Sequence, residues 1–172
     1  MRSLEPEVGR LLAAQIPRLR RYARALTADP DEADDLVQDC LERGWSRIHL
    51  WKSGTDLRAW LFTIMHNLYV NGVKRRAARP ESGPLPASHH DPRSMGQEHG
   101  LNLRDVERGL AQLSPELRSV LLLVCVEGMS YREVAQVLGV PEGTVMSRLH
   151  RARERMRRWF DGDTGPALRR VK

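Results

Sequence analysis

A basic and polar series near the end of the chain has the composition of a nucleic-acid-binding surface. At 100° per residue, a helix here would bury four residues: Val145, Leu149, Ala152 and Met156. It would point four polar side chains the opposite way: Ser147, His150, Arg151 and Glu154. Arginine can donate two hydrogen bonds to a guanine edge, whereas serine and histidine form less selective bonds. Four further residues lie on the flanks, where a recognition helix holds phosphates: Thr144, Met146, Arg148 and Arg153. An arginine series alone also fits an ordinary solvated helix face.

The segment in front of this series has the signals of a helix-turn-helix. Ser130 and Glu133 have capping-box spacing, in which each side chain bonds the other residue's backbone N–H. Gly139 follows the apolar helical pattern at a place where a left-handed residue often ends a helix. Pro141 suits the first turn of the next helix, because its missing N–H would have no partner there. With these signals in front of it, the basic series predicts a DNA-binding helix.

Charge and composition indicate two basic blocks. The net charge of +6 and the pI of about 10.0 favour a polyanionic partner. Basic residues outnumber acidic ones in 1–76 and again in 105–172, while the stretch between them is balanced. That stretch is rich in Pro, Gly, Ser and His and has scarcely any large apolar residue, which is typical of a flexible linker. Two separate contacts with nucleic acid are therefore expected.

Helical spacing dominates on both sides of the linker. We predict an all-α protein of two small helical domains joined by a flexible linker, each domain with its own compact core. The predicted boundaries are a first domain over 1–77, the linker over 78–103, a second domain over 104–160 and a tail over 161–172.

The first predicted domain has a polar face and a possible single-strand site. Asp29 and Pro30 predict the start of a helix whose apolar stripe ends at Gly44 and Trp45. Three polar residues lie off that stripe and should be exposed: Gln38, Asp39 and Glu42. They either form an ordinary solvated face or bind a protein partner. The loop at 47–56 and the helix after it combine aromatic residues, amides and a basic end, which are the materials of single-strand binding.

Among the aromatic residues of that region, Trp51 is the better candidate for stacking on a base. It sits beside Lys52, Ser53 and Gly54 and looks exposed. Trp60 could instead belong to the core, as could Phe62 in the same helix. The sequence leaves that alternative open.

The sequence gives little support for a metal site, a disulfide or a membrane-spanning segment. Cys40 and Cys125 both fall in apolar helical patterns, so we expect both to be buried, and they form no metal-type spacing. Three histidines of the linker are weak metal candidates, because no regular ligand spacing supports them: His89, His90 and His99. No apolar run is long enough to cross a bilayer, and no signal peptide is evident. We expect a cytoplasmic protein without a metal or cofactor.

Two distant stretches together resemble one family, the extracytoplasmic-function sigma factors of bacterial RNA polymerase (the sigma-70 superfamily, group 4). The first stretch is DEADDLVQDCLERGW followed by DLRAWLFTIMHNLYVNGVKRR, which is similar to domain two of that family. The second is LSPELRSVLLLVCVEGMSYREVAQVLGVPEGTVMSRLHRARERMR, which is similar to domain four. Both blocks in this order, across a linker and without a domain three, make the resemblance specific.

The resemblance implies a transcription initiation factor for stress responses rather than an enzyme. Its second helix would dock on the clamp helices of the polymerase largest subunit through Asp35, Gln38, Asp39 and Glu42, and domain four would meet the flap. The melted strand of the −10 element would be captured by Trp51, Lys52, Asn67, Lys74, Arg75 and Arg76. The −35 duplex would be read by Met146, Ser147, His150 and Arg151, with phosphates held by Thr144, Arg148 and Arg153. Members are typically held inactive by an anti-sigma factor, which is therefore an expected partner beside core polymerase and promoter DNA.

Two other classes compete with this interpretation. A stand-alone helix-turn-helix regulator would use the same recognition helix, but it usually dimerises on palindromic sites, and no dimerisation helix is obvious. An enzyme acting on nucleic acid would need a phosphate-cradling loop, metal-ligand spacing or a nucleophile motif. None of these is present in the sequence, and no catalytic residue is predicted.

Overall fold

The computed structural model describes residues 5–52, 54–78 and 103–161, and in these ranges the chain forms seven α-helices, one 3-10 turn and no strand. The helices are α1 (Glu5–Thr27), α2 (Pro30–Ser46), α3 (Leu57–Ala77), α4 (Leu103–Ala111), α5 (Pro115–Cys125), α6 (Tyr131–Leu138) and α7 (Glu142–Phe160). The 3-10 turn, Ile48–Leu50, lies between α2 and α3. The predicted all-α class is confirmed. The three linker histidines, the rest of the predicted linker beyond residue 78 up to residue 102, and the tail beyond residue 161 lie outside the described residues.

The N-terminal half, residues 5–78, is a three-helix unit with well-defined helix starts. The carboxylate of Asp29 accepts a hydrogen bond from the backbone N–H of Glu32 at 2.8 Å, so Asp29 is the N-cap that the sequence predicts. Asp56 caps α3 in the same way, accepting from the N–H of Arg58 at 2.8 Å. At Gly44 the helices α2 and α3 approach so closely that an added Cβ would lie 2.9 Å from a methyl of Leu61.

The C-terminal half, residues 103–161, contains the predicted helix-turn-helix in α6 and α7. The capping box is confirmed: the Ser130 hydroxyl accepts from the Glu133 N–H, and the Glu133 carboxylate accepts from the Ser130 N–H at 2.7 Å. Gly139 ends α6 with φ of 64°, a left-handed conformation that favours glycine. Pro141 is the N-cap of α7 rather than its first residue, so the helix begins at Glu142.

The two halves pack directly on one another, which the sequence did not predict. Helix α1 contacts α5, and α3 contacts α6. The buried apolar residues of both halves form one connected cluster that includes Tyr22 and Phe62 on one side and Val120 and Val134 on the other. The expectation of two separate cores was therefore wrong, because helical periodicity identifies a buried face without identifying its partner.

Several single-residue expectations also require correction. Cys40 is buried as predicted, but Cys125 at the C-terminal end of α5 is exposed. Trp45 lies 49% exposed at the end of α2, although it follows the apolar stripe, and Trp51 is half-buried against the core rather than exposed. Met156, predicted on the buried side of α7, is half-buried.

The described residues contain neither a candidate membrane-spanning helix nor a candidate metal site. None of the helices is long and apolar enough to cross a membrane. Likewise, over 5–52, 54–78 and 103–161, no three histidine, cysteine, aspartate or glutamate side chains cluster so that they could hold a metal ion.

Candidate nucleic-acid interface

Helix α7 presents a largely polar face to solvent, because most of its apolar residues are buried in the core. Val145, Leu149 and Ala152 are at most 2% exposed. On the outer side lie four exposed residues of the predicted −35 set: Met146, Ser147, His150 and Arg151. Thr144 and Arg148, predicted to hold phosphates, are half-buried. The structure thus places the predicted reading residues together on one free helix surface.

Arg151 is well placed to reach a base edge. Its Nε donates to the backbone oxygen of Ser147 at 3.3 Å, so the side chain lies along the N-terminal part of α7. The two terminal guanidinium nitrogens are the ones that donate bidentately to guanine. Nearby, the Ser147 hydroxyl donates to the Thr144 carbonyl at 3.0 Å, so it can accept a hydrogen bond from a base but can donate to one only after releasing that carbonyl.

Arg153 is exposed at the edge of this surface that borders α5. One of its terminal nitrogens lies 4.0 Å from the sulfur of Cys125, on the side of α7 that faces α5. It borders an apolar groove of about 310 Å³ between α4, α5 and α7. The other residues that line the groove are Val106, Leu110, Leu121, Leu122, Cys125, Val126 and Met156. The phosphate contact expected of Arg153 stays a prediction.

The predicted −10 residues are spread along the N-terminal half. Lys52, Asn67, Lys74 and Arg75 are exposed. The other two members of the set are less available to DNA, one through an ion pair and one through burial. Arg76 is exposed but forms an ion pair with Glu32 of α2, and the half-buried Trp51 has its indole nitrogen buried with no hydrogen-bond partner among the described residues.

The acidic face of α2 is free as predicted. Asp35, Gln38, Asp39 and Glu42 are all exposed, and the Gln38 amide donates to the Glu42 carboxylate at 3.0 Å. Asp39 and Glu42 also line a polar cavity of about 410 Å³ together with Arg43, Ser46, Arg47 and Leu68. This surface offers both acceptors and donors to a partner protein.

One electrostatic perturbation involves residues of both halves. Burial and, to a smaller extent, the guanidinium of Arg148 on α7 lower the pKa of His66 on α3 to about 4, although Glu116 on α5 acts in the opposite direction. The Nδ1 atom of His66 is buried with no partner among the residues that the structure describes. Burial also raises the pKa of Tyr22, whose ring packs edge-on against Phe62 with centroids 5.1 Å apart.

Comparison with known proteins matches the two halves separately. Residues 12–66 match the family described as the Sigma2 domain of PhyR, and residues 103–156 match Sigma-70, region 4. Over nearly its whole length the chain is 34% identical to the ECF RNA polymerase sigma factor EcfG of Rhodopseudomonas palustris, covering 90% of this chain and 88% of that protein. It is a member of the extracytoplasmic-function sigma factor family.

Other sigma factors support the same assignment. The RNA polymerase sigma-E factor of Streptomyces coelicolor is 37% identical over 81% of this chain and 77% of its own length. Among solved structures, the sigma factor RpoE of Bartonella quintana in complex with the anti-sigma factor NepR superposes with a TM-score of 0.74 at 30% identity, covering 91% of this chain and 98% of that one. CnrH in complex with the cytosolic domain of CnrY gives 0.67, again at 30% identity, over 91% and 88% of the two chains.

As a sigma factor of this family, the protein is a transcription initiation factor with DNA-binding domains. Sequence reasoning nevertheless missed the residues that join its halves. The side chain of Glu127 is fully buried, and no pattern around it in the sequence distinguishes it from an exposed glutamate. Gly128 directly after it has φ of 65° and marks a turn, but a turn does not indicate that the residue before it is buried.

Proposed function

We propose that this sigma factor binds core RNA polymerase and directs it to promoters with a −10 and a −35 element. The observation that carries the proposal is the combination, in one family member, of a free polar face on α7 and a free acidic face on α2. A DNA-binding surface alone would fit any regulator, whereas a separate protein-binding surface is what polymerase recruitment requires.

The −35 element would be read as duplex by α7. Arg151 would recognise a guanine, while Ser147 and His150 add less selective hydrogen bonds and Met146 offers an apolar contact. Thr144 and Arg148 would contact phosphates on one flank of the helix. Arg153, which is exposed beside the apolar groove, would contact a phosphate on the other flank.

The −10 element would be captured as a melted strand by the N-terminal half. The exposed residues Lys52, Asn67, Lys74 and Arg75 supply cations and an amide for a backbone and an unpaired base. Trp51 would contribute only the exposed part of its ring. Arg76 would first have to release Glu32.

Two surfaces would hold polymerase. The acidic face of α2 would bind the clamp helices of the largest subunit, and the apolar groove between α4, α5 and α7 would accept an apolar segment of the flap. Since polymerase works in the cytoplasm, the protein would act there. An anti-sigma factor would regulate it, as the anti-sigma complexes of the similar RpoE and CnrH suggest.

A second function has one observation in its favour. The family that matches residues 12–66 is the Sigma2 domain of PhyR, and solved neighbours include PhyR, described as an anti-anti-sigma factor, complexed with NepR. The chain could thus act as a sigma mimic that captures an anti-sigma factor without binding DNA. The free polar face of α7 argues against this alternative, because a mimic has no need of it.

Run-off transcription would test the proposal. Core polymerase would be incubated with a genomic fragment library, with the protein, without it, and with an Arg151→Ala variant. We expect new transcripts whose start sites share two upstream motifs at fixed spacing, and weaker yields with the variant. Transcripts that do not depend on the protein, together with tight binding of an anti-sigma factor, would favour the mimic.

The polymerase surface needs its own test. Reversing charge at Asp39 and Glu42 to lysine should impair holoenzyme assembly at least roughly tenfold, because like charges would then face the partner. Duplex binding by α7 should be unchanged, and an Arg20→Glu variant serves as a charge-reversal control away from the face. Loss of assembly and duplex binding together would indicate misfolding instead.

A further inference from the structure

The contact between the two halves is built from charged side chains rather than from apolar residues alone. Arg21 on α1 donates from Nε and one terminal nitrogen to one carboxylate oxygen of Glu127, at 3.2 and 2.8 Å. Arg58 at the start of α3 donates to the Glu127 carbonyl at 3.1 Å and to the Glu133 carboxylate at 3.4 Å. The turn between α5 and α6 is thereby joined to both α1 and α3.

Glu127 is the centre of this contact. Its carboxylate is fully buried, and its second oxygen has no hydrogen bond, with the Arg18 guanidinium 3.9 Å away. A buried carboxylate is strongly destabilising when its cationic partner is removed. Both partners, Arg18 and Arg21, come from the N-terminal half. We call the packing of the N-terminal half against the C-terminal half the closed arrangement. In it, the charge of Glu127 is compensated by arginines of the N-terminal half.

A second link holds the ends of two helices. The Arg118 guanidinium donates to the carbonyl of Leu26 at the end of α1 at 2.7 Å, and to that of Leu110 at the end of α4 at 2.9 Å. Carbonyls at helix C-terminal ends have no intrahelical partners and attract cations. Arg118 thus satisfies groups of both halves at once.

When the two halves are packed together, the N-terminal half approaches the flank of the recognition helix α7 that carries Arg148. Arg148, on that flank, acts on His66 of α3 and is only half-exposed. A helix in the major groove has a phosphate backbone on either side, so any part of the N-terminal half that lies beside Arg148 would obstruct one backbone. In addition, elements about 25 base pairs apart are separated by about 85 Å of duplex. A compact chain of this length is only roughly 40 Å across.

We propose that the isolated sigma factor is held closed by an intramolecular latch, in which Arg21 and Arg58 of the N-terminal half bind Glu127 of the C-terminal half and so mask one flank of α7. The masking step rests on the proposed −35 function of α7, while the latch itself does not. The partner that occupies the α1 and α3 surface is the C-terminal half of the same chain, and no anti-sigma factor is needed for closure.

A distance measurement on the full chain tests the latch. Spin labels would be placed at Ala14 on α1 and Arg132 on α6, both exposed, with Cys125 replaced by serine. Two variants break the central ion pair: Arg21→Glu, at a side chain that is 53% exposed, and the isosteric Glu127→Gln. Arg20→Glu is the matched control, because Arg20 is on the same helix and faces Asp34 of its own half at 3.9 Å.

In the unmodified chain we expect one dominant short distance, with both latch variants raising the open population about tenfold or more and the control leaving it unchanged. Affinity for a −35 duplex recovered by run-off transcription should rise by up to the same factor. A long distance in the unmodified chain, or latch variants that behave like the control, would overturn the latch. Longer distances with unchanged duplex affinity would overturn the masking.

Failure of the proposed function is distinguishable from failure of the latch. If no variant binds duplex, the −35 function and the masking fall together, but the distances still decide whether the halves are joined. Circular dichroism on each variant verifies that it is folded, and the agreement of two chemically different substitutions guards against an effect of one of them on stability.

Discussion

Helices α3 and α7 were both predicted to bind DNA, and the structure uses them in opposite ways. Helix α7 buries one apolar face and leaves Ser147, His150 and Arg151 in solvent. Helix α3 is surrounded: Leu61, Phe62 and Met65 are in the core, and its other sides meet α2 and α6. A helix that is apolar on nearly all sides is a structural centre. Duplex readout needs a free face, so α3 can offer DNA only its exposed positions near Asn67 and its basic end.

The largest effect should come from the core of α3. Replacing Phe62 with alanine removes the edge-on contact with Tyr22 and leaves a cavity, which should lower the free energy of unfolding by roughly 3–5 kcal/mol. Urea unfolding would measure this, with Phe62→Leu as a milder control. An alanine variant as stable as the unmodified protein would mean that α3 is not the structural centre.

On α7 the corresponding truncation should spare the fold and weaken DNA binding. Arg151→Ala should cost about 1–3 kcal/mol at the cognate −35 duplex and relax specificity at one base pair, because a bidentate contact is lost. Unfolding should be unaffected, since Arg151 is exposed. Binding titrations on cognate and random duplex decide the matter: equal weakening on both would make Arg151 a phosphate contact.

Acid should loosen the contact between the two halves. His66 has a pKa of about 4 when the halves are packed, against an ordinary value of 6.5. The closed form therefore binds fewer protons than the open form, and its advantage is complete above about pH 6.5 and lost as pH falls toward 4. Between pH 7 and pH 5 the ratio of open to closed molecules should rise about twentyfold. The groups that act on His66 are Arg148 and Glu116.

The same label pair measures this pH effect. A His66→Gln variant should lose most of the pH dependence, whereas His49→Gln, at an exposed histidine of the 3-10 turn, should keep it. An identical pH profile in all three proteins would assign the effect to other groups.

The smallest effect concerns Met146, an apolar residue 48% exposed on the reading side of α7. If its side chain contacts the methyl group of a thymine, Met146→Ala should cost roughly 1 kcal/mol or less on the cognate duplex. Replacing that thymine by uracil should weaken the unmodified protein similarly and leave the variant unchanged. Additive losses in the pair would show that methionine and methyl group do not touch.

Local signals were predictable because they depend on neighbours in sequence. The Asp29 cap, the capping box at Ser130 and the left-handed Gly139 were all read correctly, and so was the free side of α7. Each depends on a few adjacent residues or on one helix's own periodicity.

The predictions that were wrong concern burial and exposure that depend on contacts between distant segments of the chain. Periodicity placed Trp45 and Cys125 on apolar stripes, but each stripe is only partly covered, so both residues are exposed. Trp51 was expected to be exposed, but it packs against a core to which other helices contribute. Glu127 was missed altogether, since its burial is caused by arginines of the other half of the chain.

The ion pair between Arg21 and Glu127 has a consequence for cooperativity. Any ligand that prefers the open form must supply the free energy of opening, and a second such ligand then binds without that cost. Polymerase and promoter would therefore strengthen each other's binding to this sigma factor without touching one another, and by the same factor in both directions. The ionic contact between the halves would in this way limit promoter binding by sigma factor molecules that have not yet joined polymerase.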